Sequence, residues 1–265
     1  MNAAATLKAT TLPVDVRLMR AVANLLLALA AIAVVAWLLV WLARLPLFAI
    51  RAIRIDGEVT RNSATTIRAN AASKLTGNFF TMNLGNTRAA FESVPWVRRA
   101  VVHRVWPDRL SVRLEEHHPA ALWHSADGND ELVNTHGEVF EANLGDVEED
   151  ALPIFSGPDG TSAHALAMYQ RLVPVFAKLG TDIDTLTLSG RGSWRVVLDS
   201  GAEVELGRGE DAEVIARTER FVRTLAQVTD RYQRPLQYAD LRHADGYAVK
   251  LKGITTSDAP AKKRN

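Results

Sequence analysis

The sequence predicts a membrane-anchored α+β chain: a single transmembrane helix, a small domain of strand-helix-helix-strand-strand order, and a β-rich C-terminal domain with two helices. Three observations carry this. Residues 21–43 form one uncharged apolar run. Residues 46–117 change period in the order βααββ. Residues 118–252 set short alternating segments around two helical repeats. The bulk properties agree. The 265 residues are 48% apolar and 23% charged, which supplies real cores and is no disordered composition. A net charge of +1 gives no whole-protein nucleic-acid footprint. The absence of cysteine removes disulfides, thiolate catalysis and Cys-ligated zinc.

The first element is the run Ala21 to Ala43, 23 residues with no charge and one amide, Asn24. About 20 apolar residues suffice to cross ~30 Å of hydrocarbon. Trp37 and Trp41 stand near its C-terminal end, where indoles favour the headgroup boundary. A cleaved signal has a core of only ~7–15 apolar residues and a small-x-small site, which this run lacks before Arg44-Leu45-Pro46. An uncleaved anchor is the expectation. Arg17, Arg20, Arg44, Arg51 and Arg54 flank both ends, so charge alone does not orient it. Long C-terminal domains translocate largely regardless of charge. Residues 1–20 are therefore expected in the cytoplasm as a short tail, and residues 45–265 outside it.

The small domain opens with a strand over Phe48–Ile55, where apolar and basic residues alternate. Asn62 or Ser63 can cap a helix reaching about Leu75, and Thr76-Gly77-Asn78 stops it. Asn83 or Asn86 can cap a shorter helix through Phe91. Strands follow over Val97–Val105 and Leu110–Leu114, joined by Trp106-Pro107-Asp108.

The larger domain begins near Pro119. Ala120–Trp123 reads as a strand and Leu132–Phe140 as a hairpin with Asn/Gly turn chemistry. Leu152–Pro158 reads as a loop with an apolar anchor. Ser162–Leu179 is helical, with Pro174 expected to kink it. Thr185–Ser189, Trp194–Leu198 and Glu203–Leu206 are strands. Asp211–Tyr232 is an amphipathic helix, with Val214, Ile215, Phe221, Val222, Leu225 and Val228 at helical spacing. Gln237–Arg242 and Tyr247–Leu251 form a last hairpin around Ala244-Asp245-Gly246. Residues 253–265 are polar and expected disordered.

The patterns of catalysis are missing from this sequence. His117 and His118 are adjacent, so a strand points them to opposite faces, and neither they nor His124 and His136 make a HExxH or i,i+4 pair. No Gly-x-Ser-x-Gly occurs. Gly190-Arg191-Gly192 and Gly207-Arg208-Gly209 lack the third glycine and the frame of a dinucleotide site, and read as hairpin turns. Asp127–Glu131 lacks the ligand spacing of a calcium loop. No cofactor, metal, small-molecule substrate or nucleic acid is expected, and the expectation is a protein-binding, non-enzymatic chain.

The order of elements in residues 46–117 resembles a POTRA domain. Two runs sharpen the resemblance: Val94-Pro95-Trp96-Val97 ahead of Ala100-Val101-Val102, and Arg104-Val105-Trp106-Pro107-Asp108-Arg109-Leu110-Ser111-Val112, followed by Glu115 to Trp123. With the single span and short tail before them, they are similar to the FtsQ/DivIB family of bacterial cell-division proteins. Arg191-Gly192-Ser193-Trp194, then Leu206-Gly207-Arg208-Gly209, then Tyr238-Ala239-Asp240-Leu241-Arg242 fit the same family, so the resemblance runs from the span to about residue 252.

The resemblance implies a divisome scaffold at the septum, a single-pass type II protein of the bacterial inner membrane whose bulk is periplasmic. It implies capture of FtsB, which comes with FtsL, by strand addition to the last hairpin, and other late division proteins at the POTRA domain, with strand Val97–Val105 and the second helix as candidates. The positions carried over are Arg242, His243, Asp245, Gly246, Tyr247 and Leu251, with Arg191 and Trp194 on the neighbouring hairpin. His243 stands where the family has an aromatic, and Tyr247 where it has a small residue. Gly246 permits close approach or a turn. Arg242 and Arg191 can pair with acidic side chains. Tyr247 reads equally as a partner anchor and as a core residue, Leu251 better as core, and Arg191 also as a solvated turn residue. The rivals are a POTRA scaffold of outer-membrane or secretion machinery, an envelope enzyme, and a small-ligand sensor.

Overall fold

The computed structural model describes residues 14–57, 60–61, 67, 74–125, 128, 130–147, 152–243 and 246–253. The expected first helix of the small domain falls mostly outside them, although Ile67 is helical and fully buried. Residues 148–150, Asp245, and residues 1–13 and 254–265 also lie outside the described residues.

Helix α1 runs Val14–Ala43, and its stretch Asp15–Ala43 is long and apolar enough to cross a membrane. A short 3-10 turn, Pro46–Phe48, follows it. The chain then divides into two compact units, residues 1–58, 64–94 and 99–114 against residues 59–63, 95–98 and 115–265.

The first unit carries strand β1 (Ala52–Gly57), helix α2 (Leu84–Glu92) and most of strands β2 (Val97–Val105) and β3 (Arg109–Glu116), whose residues 97–98 and 115–116 count with the second unit; the strands lie in the order β1-β3-β2. Strand β1 starts later than its alternation suggests, because pairing with β3 begins only at Ala52↔Arg109, and Phe48 belongs to the turn. That pairing is parallel, and β3 is central because it lies between β1 and β2. Its Leu110, Val112 and Leu114 are buried on one face. Asn83 caps α2, its side chain accepting from the N–H groups of Gly85 and Asn86.

The second unit is a nine-stranded sheet. In chain order its strands are β4 (Pro119–His124), β5 (Asp130–Asn134), β6 (Val139–Phe140), β7 (Ile154–Ser156), β8 (Ile183–Leu188), β9 (Trp194–Leu198), β10 (Glu203–Gly207), β11 (Leu236–Asp240) and β12 (Ala248–Leu251). They lie in the order β12-β11-β10-β9-β8-β7-β4-β5-β6. Helices α3 (Ser162–Phe176) and α4 (Asp211–Tyr232) pack together and against this sheet, and one hydrophobic core joins the facing residues of both helices and the sheet. Phe176, Phe221, Phe155, Leu186 and Trp194 are its large hidden side chains, each contributing roughly 1.5–3 kcal/mol by burial.

Two sequence expectations change here. Ile154–Ser156 is strand β7, paired in parallel with both β4 and β8, with Phe155 fully buried. Three residues are too few to show a period, and Pro153 and Gly157 beside them mimic a loop. Gly207-Arg208-Gly209 is not a hairpin turn but the junction from β10 into α4. Gly207 has φ +83, and a Cβ there would lie 2.9 Å from an Arg217 Nη1 and 3.0 Å from Arg242 Cγ. Glycine is what lets α4 and the segment after β11 close on this junction. Helix α3 continues past Pro174 to Phe176 and ends through a 3-10 turn at Gly180, which takes the left-handed angle φ +68.

Candidate partner-binding edge

Strand β12 is the last strand of the sheet order, pairing only with β11 among the described residues. The pairing is antiparallel, with Tyr238↔Lys250, Ala239↔Val249 and Asp240↔Ala248. Its register is held by its inward side: Leu251 is 6% exposed and Val249 packs on the core, while Ala248 and Lys250 face solvent. A strand so placed turns a row of N–H and C=O groups outward.

Beside this edge the segment 241–247 meets α4. Leu241 is buried and its N–H donates to the Glu205 carbonyl at 2.8 Å. Arg242 then folds back on Asp240. Its Nε donates to Oδ1 at 2.9 Å and its Nη2 to Oδ2 at 2.6 Å, with the backbone N–H on Oδ1 at 3.0 Å. The guanidinium holds the Asp240 carboxyl well below its ordinary range, at about 2. The same pair raises Arg242 further above its ordinary value. Arg242 nevertheless keeps 56% of its side chain exposed, so it can meet a second acid.

Tyr247 resolves toward the core. Its ring stands edge-on to Phe221 at 5.1 Å, and its hydroxyl donates to Thr224 Oγ1 at 2.5 Å. It remains partly exposed, and with Thr224, Leu241, His243, Gly246, Arg217 and Arg220 it lines an open cleft of about 400 Å³. Arg217 reaches from α4 to the Arg208 carbonyl at 3.0 Å. Positions 217, 220 and 224 form a stripe at i, i+3, i+7 on α4. That spacing is visible in the sequence, but a reading of the helix by its apolar residues alone passes over it.

Of the eight residues expected at the site, Arg242, His243, Gly246 and Tyr247 come together at this edge. Leu251 lies beneath it in the core, as the core reading had it. Trp194 is a correction: it is 1% exposed, edge-on to the His164 ring at 5.1 Å, so its side chain is closed to a partner. Alternation on β9 turns Trp194, Val196 and Leu198 inward together. Arg191 is exposed in the β8–β9 turn, which Gly192 at φ +73 closes. Its hairpin is not the immediate neighbour of β11–β12, since β10 lies between. The turn does open at the same end of the sheet, because Trp194 pairs with Gly207 and Glu205 with Asp240. Two strand spacings put β9 about 10 Å from β11. Asp245 lies outside the described residues.

A second polar constellation sits in the same unit, away from β12 along the sheet order. Arg98 bonds Glu115 Oε1 at 2.5 Å and Glu138 Oε2 at 2.7 Å. Asn134 accepts the N–H groups of His136 and Glu138 on its Oδ1, so its Nδ2 is the donor, to Glu138 at 2.7 Å and to His117 Nδ1 at 2.8 Å. Arg98 and then Asn134 lower the Glu138 carboxyl to about 2. His117 stacks on Phe140 at 4.0 Å, and burial pushes its imidazole below its ordinary value, although Glu138 and Glu115 pull the other way. These bonds staple Arg98, Glu115, His117, Asn134 and Glu138 together.

In the first unit, β2 forms one edge of the sheet β1-β3-β2, with Val101 and Val105 41% and 43% exposed. Among the described residues no strand pairs with the outer side of β2.

Two family models match the chain: the POTRA domain, FtsQ-type, over residues 48–117, and the cell division protein FtsQ/DivIB C-terminal region over residues 121–242. The chain is similar to cell division protein FtsQ of Burkholderia pseudomallei, 41% identical over 241 residues, covering 91% of this chain and 94% of that one. It is 40% identical to the FtsQ of Thiomonas arsenitoxydans over 244 residues, covering 92% and 90%. It is 38% identical to that of Bordetella pertussis over 274 residues, covering 94% and 99%.

Proposed function

The chain belongs to the FtsQ/DivIB family of cell-division proteins, and from that premise we propose that it is a non-enzymatic scaffold that captures an FtsB-type partner, with FtsL, by strand addition to β12. The observation that carries the reading is the terminal position of β12 in the sheet, with a cleft rich in arginine beside it. A partner strand would pair with the outward backbone of β12, and main-chain bonds would supply affinity. Arg242, Arg217 and Arg220 would receive acidic side chains flanking that strand, and the cleft floored by Tyr247 would take an apolar one. Arg191, at the same end of the sheet, would extend the basic surface.

Helix α1 would cross the inner membrane with its N-terminus in the cytoplasm, leaving both units in the periplasm and the protein gathered at the septum. The open edge β2 and helix α2 would serve other late division proteins. Tethering these partners in one bilayer raises their effective concentration.

Photo-crosslinking in cells tests this, with a reactive residue placed singly at His243, Tyr247 and Lys250. Adducts to a small coiled-coil membrane protein are expected. Adducts to outer-membrane or secreted proteins would instead place the chain in that machinery, and a folded, inserted protein giving no adducts would remove β12 as the docking edge.

A further inference from the structure

The end of α1 is tied to one particular part of the POTRA unit. Asn78 Nδ2 donates to the Ala43 carbonyl at 2.6 Å, one of the carbonyls a helix terminus leaves open. The Phe79 N–H donates to the Phe48 carbonyl at 2.8 Å, in the 3-10 turn that follows the helix. Four aromatic rings collect at this junction. Phe48 meets Phe80 at 4.9 Å and Trp106 at 6.0 Å, and Phe79 meets Phe80 at 5.3 Å and Trp106 at 5.9 Å.

The cluster is not the core of this unit, which closes over Phe91, Leu110 and Val112. It is open: Phe80 is 52% exposed, Trp106 65% and Leu47 65%. A contiguous apolar patch this exposed calls for an occupant. Its position supplies one. The patch is hydrogen-bonded to the last turn of the helix that crosses the bilayer, and that same end of α1 carries Trp37 and Trp41, 66% and 54% exposed. Tryptophan is enriched at the membrane-water boundary. Exposed Arg44 and Arg51 flank the patch, and guanidinium pairs well with phosphate.

We propose that Leu47, Phe80 and Trp106 form a membrane seat, inserted in the headgroup layer of the leaflet from which the C-terminal end of α1 emerges, with Arg44 and Arg51 on lipid phosphates. The seat holds the POTRA unit on the bilayer instead of leaving it free on a tether. It rests on the reading of α1 as a span.

The chain has no cysteine, so a single introduced one reports one place. The full chain is reconstituted in nanodiscs of phosphatidylethanolamine and phosphatidylglycerol, with a fluorescent label at Val35→Cys, Val105→Cys or Arg113→Cys. Position 35 lies in α1, 105 beside Trp106, and 113 toward the far end of β3. A seat sinks its apolar side ~5–10 Å into the boundary layer, so lipids brominated near the headgroup should quench position 105 roughly threefold more than position 113. The variant Phe80→Asp with Trp106→Asp should lose that excess and melt as the parent does. Equal exposure at 105 and 113, with position 35 in hydrocarbon, would overturn the seat and leave the patch to a protein partner. Position 35 outside hydrocarbon would overturn the span and the seat together.

Discussion

Among the described residues nothing asks for glycine at 246: a Cβ there would meet no atom within 4 Å. If the position serves a partner's close approach, Gly246→Val should leave stability within about 0.5 kcal/mol of the parent and weaken partner capture about tenfold. Thermal melting and co-purification measure the two separately, and a loss of both together would make the residue structural. His117 gives a pH-dependent expectation. Its folded value lies below the ordinary ~6.5, so the unfolded chain takes up the proton first and stability falls as pH drops through about 6.5. Glu138, held at about 2, acts lower. Its contribution is present above the ordinary carboxylate value of ~4.3 and is lost as pH falls through about 2. Melting the parent and His117→Gln between pH 8 and pH 5.5 should show a shallower slope in the variant. Both residues are plain in the sequence, but their roles are not. The staple joins Arg98, Glu115 and Glu138 across 40 positions of chain, and no local pattern connects them.

Along β12, successive N–H groups point alternately toward β11 and away from it. Ala248→Pro and Val249→Pro therefore form a matched pair. One removes an outward donor and should abolish partner capture with little change in melting. The other breaks the ladder to β11 and should lower melting as well. Equal behaviour of the two would speak against strand addition. Helix α4 carries the other element-scale expectation: Phe221 is fully buried and holds the Tyr247 ring, so Phe221→Ala should cost ~3–5 kcal/mol in denaturant unfolding. Its apolar spacing marks this helix in the sequence from Asp211 to Tyr232, the same bounds the structure has. Strand β7 escapes the same reading because it lies inside a sheet, covered on both sides by other strands, and three residues carry no alternation.

At the scale of the whole chain, α1 as a span would tether the protein to the bilayer in which its partners are held. Replacing it with a cleaved export signal should leave both units folded, yet lower the avidity for membrane-bound partners by about 10²–10⁴-fold. Titrated expression in cells lacking the native copy would read this as a higher level needed for division. Equal function at equal level would mean the anchor serves only for delivery.

The apolar helix α1, the strands and second helix of the small domain, the family and the last pair of strands are legible in the sequence, because each is written in contiguous residues: an apolar run, a period, a turn. Tertiary structure decided which strands are edges, that Trp194 and Leu251 face inward, and that Arg217 and Arg220 join Tyr247 in one cleft. It also decided that Phe48, Phe80 and Trp106 meet. Edge and interior are properties of strand order, and strand order is set by parallel pairings such as β1–β3 and β10–β11, which join segments far apart in the chain. Hydrophobic packing is non-directional, so a single strand's pattern says which face it buries but not which strand lies beside it.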